Sequence, residues 1–241
     1  MTTESFCLQV EGLKSGYERD VPVIEDINMR VSSGSVTGLI GANGAGKSSL
    51  LKTILGYLKP EAGRILYEGK DIAGLRPDLS SSLGISYLME GHSIFPGLSV
   101  EENLLLGMWP WRRDRARVRL AIERAFERAP MLRQRRRASA GLLSGGQQRI
   151  LELERIYMTN PSLIMLDEPS LGLAPNLAGE MFDRIEDFRK EGITVILIDQ
   201  NVRRVIETSD YVYVLQLGKI MTEGKGEILS RDVENIVKDF I

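Results

Sequence analysis

Apolar residues recur along this chain in two alternating rhythms. Short runs rich in β-branched residues are separated by longer stretches with helical spacing, a pattern that predicts a mostly parallel sheet with crossover helices. Phe6 to Val10 and Val23 to Val31 read as strands, and Val36 to Ile40 is an apolar strand that stops at a Gly-rich turn. Ser48 to Gly56 then reads as a helix with Leu50, Leu51, Ile54 and Leu55 on its inner side. Arg64 to Tyr67 and Ile85 to Leu88 are further short strands. Leu163 to Leu166 and Thr194 to Ile198 are near-continuous apolar runs, as expected of strands covered on both faces. Tyr211 to Leu215 and Lys219 to Thr222 read as a late antiparallel pair around Leu217-Gly218.

The middle of the chain differs. From Val100 to about Met158 only helical patterns occur, and Ser99-Val-Glu-Glu102 opens one helix as a capping box. Arg112 to Arg137 is dense in arginine with few acids. A solvated helical face with i,i+4 pairs to Glu123 and Glu127 accounts for that density. A surface near anionic lipid headgroups or a partner is the functional alternative. A nucleic-acid groove is disfavoured because aromatic stacking groups are few there.

A chain of 241 residues suits one large α/β domain, or a domain with a subdomain. The formal net charge of −2 gives no global basic character that would point to nucleic acid. The single cysteine, Cys7, excludes an intrachain disulfide and a cysteine zinc cage, and is expected to be a small buried hydrophobe. No run approaches the roughly 18 apolar residues of a spanning helix. Met1 to Ser5 lacks the basic and apolar regions of a signal peptide. The chain is therefore expected to start and stay in the cytosol, with any membrane role exercised through a partner. His92, the only histidine, is expected on a surface loop.

Gly41-Ala-Asn-Gly-Ala-Gly-Lys-Ser48 matches G-x-x-x-x-G-K-[ST] between an apolar strand and an amphipathic helix. Glycines 41, 44 and 46 permit a tight turn and close backbone approach to phosphate. The N–H groups of Ala42, Asn43, Gly44, Ala45 and Gly46 then face an anion, supported by the helix N-terminus at Ser48 and Ser49. Lys47 can neutralise β/γ-phosphate charge, and the Ser48 hydroxyl can ligate Mg²⁺.

Leu163-Ile-Met-Leu-Asp167-Glu168-Pro169 is an apolar strand that delivers two carboxylates to its C-terminal edge, where ligands sit in open α/β sheets. Asp167 suits Mg²⁺, held directly or through water, and Glu168 suits deprotonation of an attacking water. With the phosphate loop upstream, both halves of a Mg-nucleotide site are present.

Leu143-Ser-Gly-Gly-Gln-Gln-Arg149, just ahead of the carboxylate strand, resembles the signature motif of ABC-transporter ATPases. The resemblance runs from roughly Leu8 to Ile228. It implies an α/β fold: a P-loop NTPase core with a mixed, mostly parallel sheet, an N-terminal antiparallel β subdomain and an inserted helical subdomain. Residues 6–98 and 159–241 would form the core with the β subdomain, and residues 99–158 the helical subdomain, within a single ATPase domain spanning 6–241. It further implies that Ser144, Gly145, Gly146 and Gln147 bind the γ-phosphate held by a second, facing ATPase subunit.

The remaining elements follow from the same resemblance. Tyr17 would stack on adenine; the alternative is a core tyrosine of the first sheet. Glu90 stands where the family usually has a glutamine that senses Mg²⁺ and touches the membrane domain. Ala174, in Ser170-Leu-Gly-Leu-Ala174, replaces a usual aspartate. Gln200 replaces the histidine that contacts γ-phosphate, and it can still donate a hydrogen bond. Glu168, Lys47 and Gln200 would thus form the catalytic set, Ser48, Asp167 and Glu90 the metal site, and ATP with Mg²⁺ the bound species. Phe95 to Asn103, Asp167 to Pro175, and Gln200-Asn201 are similar to the second ATPase of branched-chain amino-acid importers. Met89 and Leu151-Glu-Leu-Glu154 depart from that branch.

The implied role is powering uptake of branched-chain amino acids or a related small solute. Urea or amide uptake and a weakly hydrolysing regulatory subunit are the alternatives. The implied partners are a second, paralogous ATPase, two integral membrane permease subunits and, indirectly, a solute-binding protein, with no nucleic acid. The implied location is peripheral, on the cytoplasmic face of the inner membrane.

Overall fold

The apolar runs condense into two sheets in the computed structural model, which describes residues 5–91, 93–234 and 238. In chain order the first half contains β1 (Phe6–Ser15), β2 (Ile24–Ser32), β3 (Val36–Ile40), α1 (Lys47–Ile54), β4 (Pro60–Tyr67), β5 (Lys70–Asp71), α2 (Pro77–Ser80) and β6 (Ile85–Leu88). A helical stretch follows, with α3 (Val100–Gly107), α4 (Arg115–Arg128), α5 (Pro130–Gln134) and α6 (Gly145–Tyr157). The last part contains β7 (Leu163–Asp167), α7 (Pro175–Lys190), β8 (Thr194–Ile198), α8 (Val202–Thr208), β9 (Tyr211–Gln216), β10 (Lys219–Lys225) and α9 (Gly226–Leu229).

The six-stranded sheet has the order β10-β9-β3-β8-β7-β6, parallel throughout except for the β9–β10 hairpin. Every residue of β3, β7 and β8 is buried, which explains why these strands lack polar alternation. The register sets Gly38 beside Leu197 and Asp167 beside Ile198, so β3, β8 and β7 end on one edge of the sheet. The smaller sheet, β2-β1-β4-β5, is antiparallel.

One apolar cluster, which includes Leu8, Ile27, Leu50 and Leu51, fills the space between the sheets and α1. A second seats α7 and α8 on the other face of the large sheet through Phe182, Ile185 and Val205. The buried members of a third all come from residues 100–158 and include Leu104, Phe126 and Leu151. Each fully buried Leu or Phe in these clusters stabilises by about 1.5–3 kcal/mol against exposure. Cys7 lies in the first cluster, where burial pushes its thiol pKa up and keeps it protonated.

Several expectations shift at their edges. β1 runs past Val10 to Ser15 because a register shift between Val10 and Leu13 absorbs Glu11-Gly12 and restores inward alternation. α1 starts at Lys47 and ends before Gly56, which adopts the left-handed conformation (φ 79°). The Ser99 capping box forms, with Ser99 N donating to Glu102 Oε2 at 2.7 Å. The expected i,i+4 pairs in the arginine-rich stretch do not. Glu123 instead accepts from Arg133 at 2.7 Å and Arg136 at 3.2 Å, because α5 and the segment after it fold back beside α4. Glu127 has no ion-pair partner among the described residues. His92 lies outside the described residues. No helix among the described residues is long and apolar enough to cross a membrane.

Candidate functional site

The edge where β3, β8 and β7 terminate gathers three loops. β3 leads into residues 41–46, β8 into Asp199 and Gln200, and β7 into Glu168. Two glycines of the first loop show what this turn requires. Gly46, the N-cap of α1, has φ 104°, and a Cβ there would lie 2.8 Å from Ile24 Cγ2. Gly44 has φ 83°, and a Cβ there would meet no atom within 4 Å, so it faces open space. Lys47 arches back over this loop, donating to the Gly41 carbonyl at 2.8 Å and the Ala42 carbonyl at 3.0 Å. Burial lowers its pKa, and the charges of Glu168, Asp167 and Glu90 oppose that shift.

Asp167 is the last residue of β7 and is almost fully buried. Its Oδ1 accepts from Ser48 Oγ at 3.1 Å and its Oδ2 from Tyr87 OH at 2.9 Å. Burial raises its pKa above the ordinary carboxylate value, and the Tyr87 and Ser48 hydrogen bonds partly offset this. Glu168 adopts φ 50°, a left-handed conformation that costs about 1 kcal/mol or more outside glycine. Two contacts hold it there. Its N–H donates to the Ile198 carbonyl at 2.8 Å, and its Oε2 accepts from Gln200 Nε2 at 2.8 Å. Burial raises its pKa too, against the Gln200 hydrogen bond.

This donor set fits a small hard cation. Ser48 Oγ and Asp167 supply oxygen ligands from two sides, and no group of three or more His, Cys, Asp or Glu capable of enclosing a metal occurs among the described residues. An ion that takes its other ligands from water and phosphate suits that arrangement. Glu90 follows β6 with its side chain exposed, and it adds negative charge near Asp167, Glu168 and Lys47. It makes no hydrogen bond to either carboxylate.

Two residues to which the sequence reading assigned no site role organise this edge. Tyr87, in β6, holds the second oxygen of Asp167. Arg149, on α6, is buried at 3% exposure, and its guanidinium donates to the carbonyls of Asp167 (3.1 Å), Glu168 (3.0 Å), Pro169 (3.2 Å), Met89 (2.9 Å) and Gly91 (2.9 Å). Glu152 neutralises it at 3.0 Å. One arginine thus ties α6 to the carboxylate loop and to the loop carrying Glu90. The signal available in sequence was an arginine at an inward position of an amphipathic helix, followed three residues later by an acid. The other unusual acid of that helix, Glu154, is 2% exposed and pairs with Arg128 at 2.8 Å and Arg184 at 3.2 Å.

Tyr17 is 61% exposed rather than part of the core, with its hydroxyl 3.5 Å from Ser49 Oγ and 3.4 Å from Lys52 Nζ. It lines an open cavity of about 800 Å³ with Tyr57, Lys59 and Glu61. Ser144 is the exposed N-cap of α6. Its Oγ accepts from Gln147 N at 3.3 Å, while Gln147 Oε1 accepts from Ser144 N at 3.1 Å. Gly145 is open to solvent, whereas a Cβ on Gly146 would lie 2.3 Å from Leu177 Cδ1. Ser170 donates from N and Oγ to Asp199 at 3.0 and 2.8 Å. Ala174 begins α7 without a side-chain cap.

A family model described as ABC transporter matches residues 24–171. The high-affinity branched-chain amino acid transport ATP-binding protein BraG of Pseudomonas aeruginosa is 39% identical over 215 residues, covering 89% of this chain and 91% of that protein. The lipopolysaccharide export system ATP-binding protein LptB of Acidithiobacillus ferridurans is 32% identical over 230 residues, covering 93% of this chain and 92% of that protein. Among solved structures, the ADP conformation of an ATP-binding cassette of an ABC transporter superposes with a TM-score of 0.82 at 31% identity, covering 98% of this chain and 96% of that one.

Proposed function

This chain belongs to the ATPase family of ABC transporters, and from that premise we propose that it powers uptake of branched-chain amino acids or a related small solute. The chain binds and hydrolyses ATP, as the family does. In the proposed assembly it pairs with a second, paralogous ATPase beneath two permease subunits, on the cytoplasmic face of the inner membrane, and a solute-binding protein delivers the cargo. Residues 99–158 act in it as a helical subdomain, a reading supported by their own apolar cluster.

The observation that carries the site assignment is the 3.1 Å contact from Ser48 to Asp167, which joins the phosphate loop to the carboxylate strand. In the proposed cycle the loop N–H groups from Gly41 to Ser49 and the Lys47 ammonium hold the β- and γ-phosphates. Tyr17 stacks on the adenine ring. Ser48 and Asp167, with Glu90 through water, would hold Mg²⁺, which supplies charge neutralisation at the phosphate oxygens. Glu168 accepts a proton from water as the water oxygen bonds to the γ-phosphorus and the bond to the ADP oxygen breaks, giving ADP and phosphate. Gln200 keeps the Glu168 carboxylate in position, a role supported by their 2.8 Å hydrogen bond. Ser144, Gly145, Gly146 and Gln147 complete the site of the facing subunit.

Glu168→Gln tests the chemistry. ATP affinity should stay within about threefold while turnover falls by roughly 10²–10⁴. Hydrolysis at the wild-type rate would remove Glu168 from the role of base. The direction and identity of the cargo need a separate test, because an export ATPase is also a relative. Reconstituted with its permeases, the chain should drive ATP-dependent accumulation of leucine, isoleucine or valine. Full ATPase activity without such uptake would leave the hydrolysis intact and overturn the solute.

A further inference from the structure

The arginine-rich stretch has no part in the nucleotide chemistry. Residues 109–137 contain eleven arginines against three acids, a local surplus of eight positive charges in a chain whose net charge is −2. Self-pairing does not consume this surplus. Arg128 is tied to Glu154, and Arg133 and Arg136 share Glu123. Arg113, Arg115, Arg119, Arg124 and Arg135 have no ion-pair partner among the described residues.

These charges accompany exposed apolar groups. α4 buries Ile122, Ala125 and Phe126, so at 100° per residue its opposite face carries Arg117, Leu120 and Arg124, all exposed. Leu120 is 53% exposed, and Trp109, in the turn before α4, is 60% exposed. On one flank Arg112, Arg115 and Arg119 line a cavity of about 280 Å³ with the apolar Leu105 and Val118, and the two acids that also line it, Glu101 and Glu123, are both paired with Arg136. The acids on this surface are few. Glu127 is exposed, and Asp114 caps α4 by accepting from Arg117 N at 3.0 Å.

We propose that this face is a membrane-contact surface, on which unpaired arginines bind the phosphates of anionic lipids while Trp109 and Leu120 enter the headgroup layer. Charge complementarity favours a dense, delocalised array of anions, because the free guanidiniums are spread over α4 and its flanks rather than converging on one point. Exposed tryptophan and leucine beside arginine match the chemistry of the interfacial zone. Single-stranded nucleic acid suits the surface less well. It needs open aromatic faces, and both tryptophans here are stacked by arginine, Arg112 over Trp109 at 4.7 Å and Arg117 over Trp111 at 4.5 Å. The contact would hold the ATPase against the bilayer in addition to its permeases. It goes beyond the proposed function and does not depend on it.

The chain's only two tryptophans, Trp109 and Trp111, lie within this surface, so intrinsic fluorescence reports on it directly. Purified full-length protein is mixed with vesicles of phosphatidylcholine and with vesicles that also contain phosphatidylglycerol, and sedimentation and emission are recorded. Binding and a blue shift are expected only with phosphatidylglycerol, both reversed by salt. Arg113→Glu/Arg119→Glu/Arg124→Glu should lower the partition coefficient on the order of a hundredfold. ATPase activity without vesicles, measured on the same samples, should match wild type and shows that the variant is folded. Absence of binding, equal binding to neutral vesicles, or wild-type binding by the triple variant would overturn the proposal. So would displacement from vesicles by equimolar polyuridylate, or by polyglutamate, which would point to nucleic acid or to an acidic protein.

Discussion

Asp167 ends β7 and Ser144 caps α6, and the two surroundings differ in how much of the work is done by the chain itself. Around Asp167, side chains from four elements converge. Ser48 and Tyr87 hold its two oxygens, Gln200 holds Glu168, and Arg149 clasps the carbonyls behind them. Around Ser144, the one side-chain hydrogen bond among the described residues lies within the first turn of its own helix. The buried region is organised for chemistry in the single chain. The exposed region is organised only as a helix start. In the proposed assembly the Asp167 region would serve as the floor of one nucleotide site and the Ser144 turn as a lid for the site of the facing ATPase.

That contrast can be broken by mutation. The largest structural effect is expected at Arg149. Arg149→Met removes the guanidinium that neutralises buried Glu152 and frees five carbonyls, so unfolding in urea should show a loss of about 3–5 kcal/mol. A loss under 1 kcal/mol would mean that the carboxylate loop holds its shape unaided. Next comes Gly145→Asp, which places a like charge where the facing phosphate would sit. Turnover of the assembled ATPase should fall about 10²-fold, with nucleotide binding by the isolated chain unchanged. A parallel loss of binding by the isolated chain would erase the division between floor and lid.

Ser144→Ala probes the exposed region more gently. Removing the cap should cost about 1 kcal/mol of stability in the isolated chain, read as a lower urea midpoint. The smallest effect concerns pH. Burial raises the pKa of Asp167 and Glu168, so the stability these groups contribute to the empty site is present at pH below the ordinary carboxylate value and is lost as pH rises through the raised one. Glu168→Gln removes part of that loss. At pH 7 and without nucleotide it should melt ~1–3 °C above wild type, and the difference should close as pH falls towards the carboxylate range.

Much of this was legible in the chain. The strands β3, β6 and β8 matched their sequence runs to the residue, and in β3 and β8 every residue is buried, so both faces call for a continuous apolar run. The phosphate loop and the Asp167-Glu168 pair were legible because their chemistry is local in sequence. Tyr87 and Arg149 were not, since their partners lie 80 and 18–60 residues away and become neighbours only through the β6–β7 pairing and the packing of α6. The pairing of Glu123 was misjudged for a related reason. Pro130 breaks the helical stretch, and the segment beyond it returns alongside α4, offering guanidiniums that helical spacing cannot foresee. The buried acids of α6 likewise make sense only beside the arginines of other elements.

In the proposed cycle ATP is clamped between Lys47 of one ATPase and the Ser144 turn of a facing subunit. In the assembled transporter carrying Glu168→Gln, one spin label at Asn43 of this chain and one on the signature turn of the other ATPase give that separation directly by pulsed electron resonance. The account predicts that ATP collapses a broad, long distribution into a single short distance. A distribution that ATP leaves unchanged, in protein shown to have bound it, would contradict the clamp.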